Sequence, residues 1–594
     1  MINVGEVIAV DGTKISIKIF DESNLDSIYW NGKKYNGVSI REYIAIRRGF
    51  RDIVCVVQGE YLDERRLIED PNKVLYLRKV EVKPVGYFED GKFFEGVKHL
   101  PMIKDGAHLL PDEDVIKIYG SSSAKDGFTI GKTVSSGLPI SLPWHKLFNT
   151  HIGIFGNTGS GKSNSLTQLY TVLFKEKSEQ MKGKSKFLFI DFNGEYTQNQ
   201  LLDGAEKKVL KLRSKGEPQD RFQLTHDEFW NAETLSVLLQ ATPNTQRPFL
   251  VRLTKGRCKY NENENSLRDY FRLTFKAVFT SASPRPECLE LLKGVARIAD
   301  DAALSGRLAT IVFNNARDQK WFMLTEQRVT TYFDKPERYT QSLQGTVENV
   351  SLELDAFEEL LLRIQLRLTN DLVRNYVQFE HIQPLLSRAT AAVVYLRKVV
   401  AVVDAVEELP LLTIVSLKRC ETPIKKLVAL LIAKHCYGRH GVNVSQSPPN
   451  CTFHLIVDEA HNILSEQSAR EHEVWRDYRL ELFEEIIKEG RKIGMFLTLA
   501  SQRPADISPT IISQLHNFFI HRLVNDRDLF LMENTINTLD HLSKSQIPNL
   551  AKGCCIVTGT SFDLPMTVQF DQLPKERKPD SDDVDLMKLW NQND

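Results

Sequence analysis

Residues 156–163 read GNTGSGKS and join the apolar run His151-Ile152-Gly153-Ile154-Phe155 to a stretch with helical spacing. A strand, a glycine-rich turn, Lys-Ser and a helix, in that order, commit the chain to an α/β core. Gly156, Gly159 and Gly161 let the backbone aim its N–H groups at an anion without interference from a Cβ. Lys162 brings charge to the β and γ phosphates of a nucleoside triphosphate, and Ser163 offers a hydroxyl to Mg²⁺. The helix that starts here turns its positive dipole end toward the same anion. The expected nucleotide contacts are therefore Gly156, Asn157, Thr158, Gly159, Ser160, Gly161, Lys162, Ser163 and Asn164, with ATP and Mg²⁺ as cofactors. A Gly/Ser-rich surface turn that happens to hold a lysine is the alternative, and the full spacing after a strand argues against it.

A second strand, Phe453-His454-Leu455-Ile456-Val457, ends in Asp458-Glu459-Ala460-His461. This order fits an Asp that holds Mg²⁺ followed by a Glu that polarises water, whereas a helix cap would need only one acid. Asp458 follows Lys162 by 296 positions, so a large insertion divides the core. The apolar run at 186–191 leads into Asp191-Phe192-Asn193-Gly194-Glu195-Tyr196. Ligands of open parallel sheets bind beyond the carboxyl ends of strands, so Asp191 and Glu195 are expected to approach the loop, unless they are solvated turn acids. A further strand at 495–500 delivers Gln502, within Ser501-Gln502-Arg503-Pro504, as an amide able to sense a γ-phosphate. Arg503, and Arg491 within Glu489-Gly490-Arg491-Lys492, are either site cations or ordinary surface partners of carboxylates.

The remaining pattern surrounds this core. Between residues 4 and 129, short alternating segments and the turns Asp11-Gly12, Asn31-Gly32 and Asp90-Gly91 point to a small β-barrel. Leu235, Leu238 and Leu239, and later Leu354, Phe357, Leu361, Ile364 and Leu368, recur at three- and four-residue spacing, which predicts a helical bundle. The resulting divisions are a barrel at 1–140, a first core segment at 141–202, an inserted helical region at 203–409, a second core segment at 410–570 and a tail at 571–594. With 77 basic and 77 acidic residues there is no net field, so a nucleic-acid site must be a local patch or pore lining. The eight cysteines are scattered without zinc-ligand spacing, no signal peptide stands at the start, and Arg397, Lys398 and Asp404 interrupt the most apolar stretch. These features give the expectation of a soluble, cytoplasmic protein with no membrane segment.

With residues 191–196, 458–461, 489–492 and 501–504 in this order, the chain resembles the HerA branch of the HerA/FtsK motor ATPases over nearly its whole length. Ile130-Gly131-Lys132 leading to Leu138-Pro139-Ile140, and the tail Pro579-Asp580-Ser581-Asp582-Asp583, belong to the same likeness. The resemblance implies a RecA-like P-loop ATPase core with an N-terminal small β-barrel and an inserted helical bundle. It also implies a homo-hexamer that translocates double-stranded DNA as a helicase motor, with a nuclease or sirtuin-like effector on the barrel side, in DNA-end processing or antiphage defence. Carried onto this sequence, it makes Lys162 and Ser163 the triphosphate and Mg²⁺ ligands, Asp458 a further Mg²⁺ ligand and Glu459 its hydrolytic partner. Gln502 becomes a sensor and Arg491 a finger acting on a neighbouring subunit. Thr150 departs from the basic residue that the family often has before the equivalent of His151, which removes one auxiliary phosphate contact. Arg470, Arg476 and Arg479 are either DNA contacts or a solvated helix face. Two other readings stay open: a nucleotide-gated ring that scaffolds an effector with little translocation, and a protein-remodelling ATPase.

Overall fold

Period-two alternation closes the amino-terminal barrel. In the strand Lys14–Ile19, residues Ile15, Ile17 and Ile19 are buried while the residues between them are not. The computed structural model describes residues 2–25, 27–66, 74–119, 128–260, 265–314, 320–324, 330–333, 335–444, 448–466, 473–562, 564–580 and 590. Six strands pair antiparallel in a circuit: Asn3–Asp11, Lys14–Ile19, Val74–Glu89, Arg51–Arg66, Tyr43–Arg48 and Gly106–Leu109, which returns to the first. Val7, Ile17, Ile44, Ile53 and Val80 fill the interior. Closure pairs each of these six strands on both sides, and Lys92–Glu95 is added as a short strand beside Val74–Glu89. At Asn31-Gly32 and Asp90-Gly91 both residues have positive φ, the geometry a two-residue hairpin requires.

The central sheet has eleven strands, in the order Pro139–Leu142, Phe128–Thr133, Met566–Phe570, Cys554–Gly559, Asn517–Ile520, Ile152–Phe155, Met495–Ser501, Thr452–Val457, Ser185–Asp191, Leu412–Arg419 and Lys207–Arg213. The last seven run parallel, and the first four are added antiparallel. Inner parallel strands are covered on both faces, which explains why Ile152–Phe155 and Met495–Ser501 are buried at every residue. One face packs on the helix Lys162–Met181 through Leu166, Leu169, Tyr170 and Leu173. The other face, through Leu188, Ile190, Val415 and Leu417, is continuous with the core of the inserted helices.

That insertion includes the helices Gln246–Tyr260, Ser266–Phe279, Pro286–Ile298, Ala356–Val373 and Phe379–Val399. Asp355 starts one of them with a reciprocal cap, accepting from the Phe357 and Glu358 amides while Glu358 accepts from the Asp355 amide. Phe357, Ile364 and Leu368 are buried on its inner side. The region is not purely helical. It also holds a three-stranded sheet of Ile311–Asn314, Lys320–Leu324 and Thr330–Tyr332, and a parallel pair of Phe222–Thr225 and Val400–Val403.

The structure also differs from the sequence divisions at two edges. Phe128–Thr133 and the first half of Pro139–Leu142, grouped with the barrel at 1–140, pair instead with the core strand Met566–Phe570 or with each other. Lys207–Arg213, assigned to the insertion, is the edge strand of the core beside Leu412–Arg419. In both cases a short alternating segment is satisfied by a partner hundreds of residues away, which local periodicity does not register. The barrel meets the core where Arg41 donates to Thr567 Oγ1 at 2.8 Å and where Tyr43, Val54 and Ile118 pack with Leu138 and Leu564. Among the described residues, no helix is long and apolar enough to cross a membrane.

Candidate active site

Strand order assembles the site. Met495–Ser501 lies between Ile152–Phe155 and Thr452–Val457, and all three are parallel. Their carboxyl ends therefore emerge together and bring the glycine loop, Gln502 and Asp458-Glu459 to one edge of the sheet. The loop is pinned on three sides: the Gly156 amide donates to the Ser501 carbonyl, the Asn157 amide to that of Arg522, and the Gly553 amide to that of Ser160. Gly161 has φ +112, and a Cβ there would stand 2.9 Å from Gly553 Cα. A Cβ on Gly156 would stand 2.5 Å from His521 Cβ. Both positions thus require glycine for space, and Gly161 for its backbone as well. His521 is fully buried under the loop, where desolvation lowers its pKa to about 4 and keeps the ring neutral beside Lys162.

Lys162 Nζ donates to Asp458 Oδ1 at 3.0 Å and to Glu459 Oε1 at 2.8 Å, and all three side chains are buried. Burial alone would draw the ammonium pKa down; the two carboxylates outweigh it and hold the pKa above its ordinary value. Burial likewise pushes the Glu459 carboxyl up, but hydrogen bonding to His461 and the Lys162 charge bring it to about 2. Glu459 Oε1 also accepts from Gln502 Nε2 at 2.6 Å, and His461 Nδ1 lies 3.3 Å from Oε2. Thr158 Oγ1 completes the chain by donating to Gln502 Oε1. Glu459 itself has φ +50, a strained backbone for a residue with a Cβ, of the kind found at functional sites.

Of the two acids after Ser185–Asp191, one builds the turn and the other faces the site. Asp191 Oδ1 accepts from the amides of Asn193, Gly194 and Glu195, and Oδ2 from that of Tyr196. Four backbone donors occupy Asp191, so its oxygens build the turn. Burial raises its carboxyl to about 6, against the pull of those amides. Tyr196, fully buried, donates to Asp458 Oδ2 at 3.2 Å and fixes that carboxylate from the side opposite Lys162. Asn164 donates through Nδ2 to the Asp571 carbonyl, and the tail continues past the turn, with the Asp580 amide donating to the Glu195 carbonyl. Ser581, Asp582 and Asp583 lie outside the described residues.

Arg491 lies at the other end of the sheet. It precedes Met495–Ser501, whose seven residues place it roughly 20 Å from the loop end. Its Nη1 is 2.6 Å from His516 Nε2, and the His516 ring packs against that of the fully buried His151. Thr150 is at this end too, where its Oγ1 donates to the Leu147 carbonyl and accepts from Asn517 Nδ2. The auxiliary contact that Thr150 was expected to lack is therefore not one to this chain's own loop. Arg503 is exposed beside Gln502. Arg479 is fully buried and donates to the Ser465 carbonyl, so it does not face DNA; Arg476 pairs with Asp477 at 3.1 Å, and Arg470 lies outside the described residues.

These residues fit a Mg²⁺–nucleotide. Two buried carboxylates against one ammonium leave negative charge that a cation would offset, and the donors near the loop, Ser163 and Asp458, are oxygens, as a hard cation prefers. Ser160 Oγ is buried without a hydrogen-bond partner among the described residues, a polar atom in the floor of the phosphate loop. Sequence reasoning had no signal for His521 or Gly553, since both reach the loop from neighbouring strand ends. Tyr196 directly follows Glu195 in sequence, yet only the fold gives it a role.

The family model described as the central domain of helicase HerA matches residues 128–366. A probable helicase of Methanocaldococcus jannaschii is 24% identical over 79% of this chain and 74% of its own length. The DNA double-strand break repair helicase HerA of Sulfurisphaera tokodaii is 22% identical over 89% of this chain and 84% of its own. Among solved structures, VirB4 of Thermoanaerobacter pseudethanolicus aligns at 14% identity and a TM-score of 0.41, over 76% of this chain and 99% of that one. Residues 128–366 thus match the central domain of helicase HerA, and over most of its length the chain is similar to HerA-like helicases.

Proposed function

We propose that the chain is the subunit of an ATP-driven, hexameric ring that moves duplex DNA. The observation that carries this reading is the separation of Arg491 from Lys162, Asp458, Glu459 and Gln502 by the length of the sheet. An arginine that does not reach its own loop can serve a neighbour's, and head-to-tail contacts repeated at one rotation close into a ring. Relatives named as DNA double-strand break repair helicases support DNA as the cargo.

In this reading Lys162 and the backbone from Gly156 to Ser163 hold the β and γ phosphates, while Ser163 and Asp458 hold Mg²⁺. When bound, that ion neutralises phosphate charge. Nucleotide entry draws Lys162 away from Glu459, which then orients the attacking water and accepts its proton. Gln502, bonded to both Glu459 and Thr158, couples the loop to the acid and reports loss of the γ-phosphate. Arg491 of one subunit stabilises the transition state in the next.

The barrel serves assembly and docks a nuclease or other effector in DNA-end processing or antiphage defence. In its support, Phe50, Met102 and Ile103 are exposed on the barrel, near where Arg48 donates to the Leu100 carbonyl and Arg51 bonds His99. The test is ATP hydrolysis with and without duplex DNA. Wild type is expected to be stimulated by DNA, with binding that weakens steeply as salt rises, and Glu459→Gln to bind nucleotide without turnover. Hydrolysis indifferent to DNA would favour the nucleotide-gated scaffold instead.

A further inference from the structure

Glu195 is 7% exposed, and its Oε1 accepts one hydrogen bond, from Asn193 Nδ2 at 3.3 Å. Its Oε2 is buried with no hydrogen-bond donor among the described residues. A buried carboxylate oxygen in that condition is costly, and a native fold retains it where a ligand can satisfy it. The backbone gives Glu195 little freedom to escape. Asp191 ties the amides on both sides of Gly194, which has φ +79, and the Asp580 amide holds the Glu195 carbonyl at 2.9 Å. The next residue, Tyr196, is anchored to Asp458 Oδ2. The same turn therefore presents one acid to the site and positions another.

The electrostatic surroundings agree. Asp458, Lys162 and Ser163 all stand close enough to the Glu195 carboxyl to act on it. Two acids that raise each other's energy are reconciled by a cation between them.

We infer that Glu195 is a further oxygen donor of the divalent-cation site, holding the ion's water shell beside Ser163 and Asp458. The inference rests on the nucleotide-site reading above. Contact through water follows from two facts. Mg²⁺ gives up its waters reluctantly and takes one or two carboxylates alongside substrate phosphates. Among the described residues, no three His, Cys, Asp or Glu side chains are grouped closely enough to hold an ion by themselves.

The test titrates Mn²⁺ into the full chain with saturating ADP, read by the electron paramagnetic resonance of free Mn²⁺, and measures ADP affinity separately in EDTA. Glu195→Gln keeps the shape and the acceptor for Asn193 but removes the charge. It is expected to weaken Mn²⁺ binding about tenfold or more while leaving ADP affinity in EDTA unchanged. Glu195→Asp, which keeps the charge on a shorter arm, should fall between the two. Wild-type Mn²⁺ affinity in Glu195→Gln would overturn the inference, as would an equal loss of ADP affinity in EDTA, which would make the role structural. If wild type itself bound neither ADP nor Mn²⁺–ADP, the nucleotide-site reading would fall as well, a result distinct from either of these.

Discussion

The two ends of the parallel sheet are built from opposite chemistry. At the carboxyl ends, Lys162, Asp458, Glu459 and Gln502 are locked into one buried network with the acids in excess. At the amino ends lie Arg491, His516, His151 and His454, and among the described residues no carboxylate stands within ion-pair distance of Arg491. One end holds paired charge and a phosphate cradle, and the other an arginine whose partner is an imidazole. On the proposed reading each end lacks what the other supplies, and a second copy of the sheet would complete it.

Arg491→Ala bears hardest on this contrast. In the assembled state it should reduce kcat by about 10³-fold or more without changing ADP affinity. A loss of ADP affinity would put the arginine in its own chain's site and erase the distinction between the ends. Lys162→Ala should destabilise the nucleotide-free protein by about 3–5 kcal/mol in denaturant melts, because two buried acids lose their cation. Arg491→Ala in the same melts should stay within about 0.5 kcal/mol, as for an exposed side chain.

The histidines give the contrast a pH dependence. Desolvation holds His151 and His454 near pKa 3 and His521 near 4, below the ordinary 6.5. The unfolded chain therefore binds more protons than the folded one between those values and 6.5. The stability from keeping these rings neutral is complete above pH 6.5 and is lost as pH falls toward the folded values. His454→Phe, which can keep the stacking on Phe187, should flatten the slope of stability against pH by about 1.4 kcal/mol per pH unit between pH 6 and 4. An unchanged slope in urea melts would mean that His454 is not buried neutral. The smallest expected effect is that of His516→Gln, a reduction of about three- to tenfold in ring kcat with no change in ADP affinity, from loss of the bond that orients Arg491.

Sequence revealed the carboxyl-end site better than the amino-end one. The glycine loop, Asp458-Glu459 and Gln502 each follow an apolar run, so strand and strand end can be read from a few residues. The turn-building role of Asp191 depends on four amides folding back onto it, and a lone acid at a strand end looks the same in sequence whether it meets a ligand or a turn. His521, Gly553 and Tyr196 reach the loop or Asp458 across strands far apart in sequence. Arg479 reads as surface charge by composition, yet the helix Glu473–Glu489 turns it inward. The barrel turns were legible from Asn-Gly and Asp-Gly, whereas the pairing of Phe128–Thr133 with Met566–Phe570 leaves no local trace.

The most direct measurement mixes two inactive proteins. Lys162→Ala subunits keep the arginine and lose the loop lysine, and Arg491→Ala subunits do the reverse. After equal amounts are dissociated and reassembled together, head-to-tail neighbours would rebuild complete sites at about a quarter of the interfaces, and ATP hydrolysis should recover to about that fraction of wild type. Hydrolysis no higher than the sum of the two separate variants, in rings shown to contain both, would contradict a site shared between subunits.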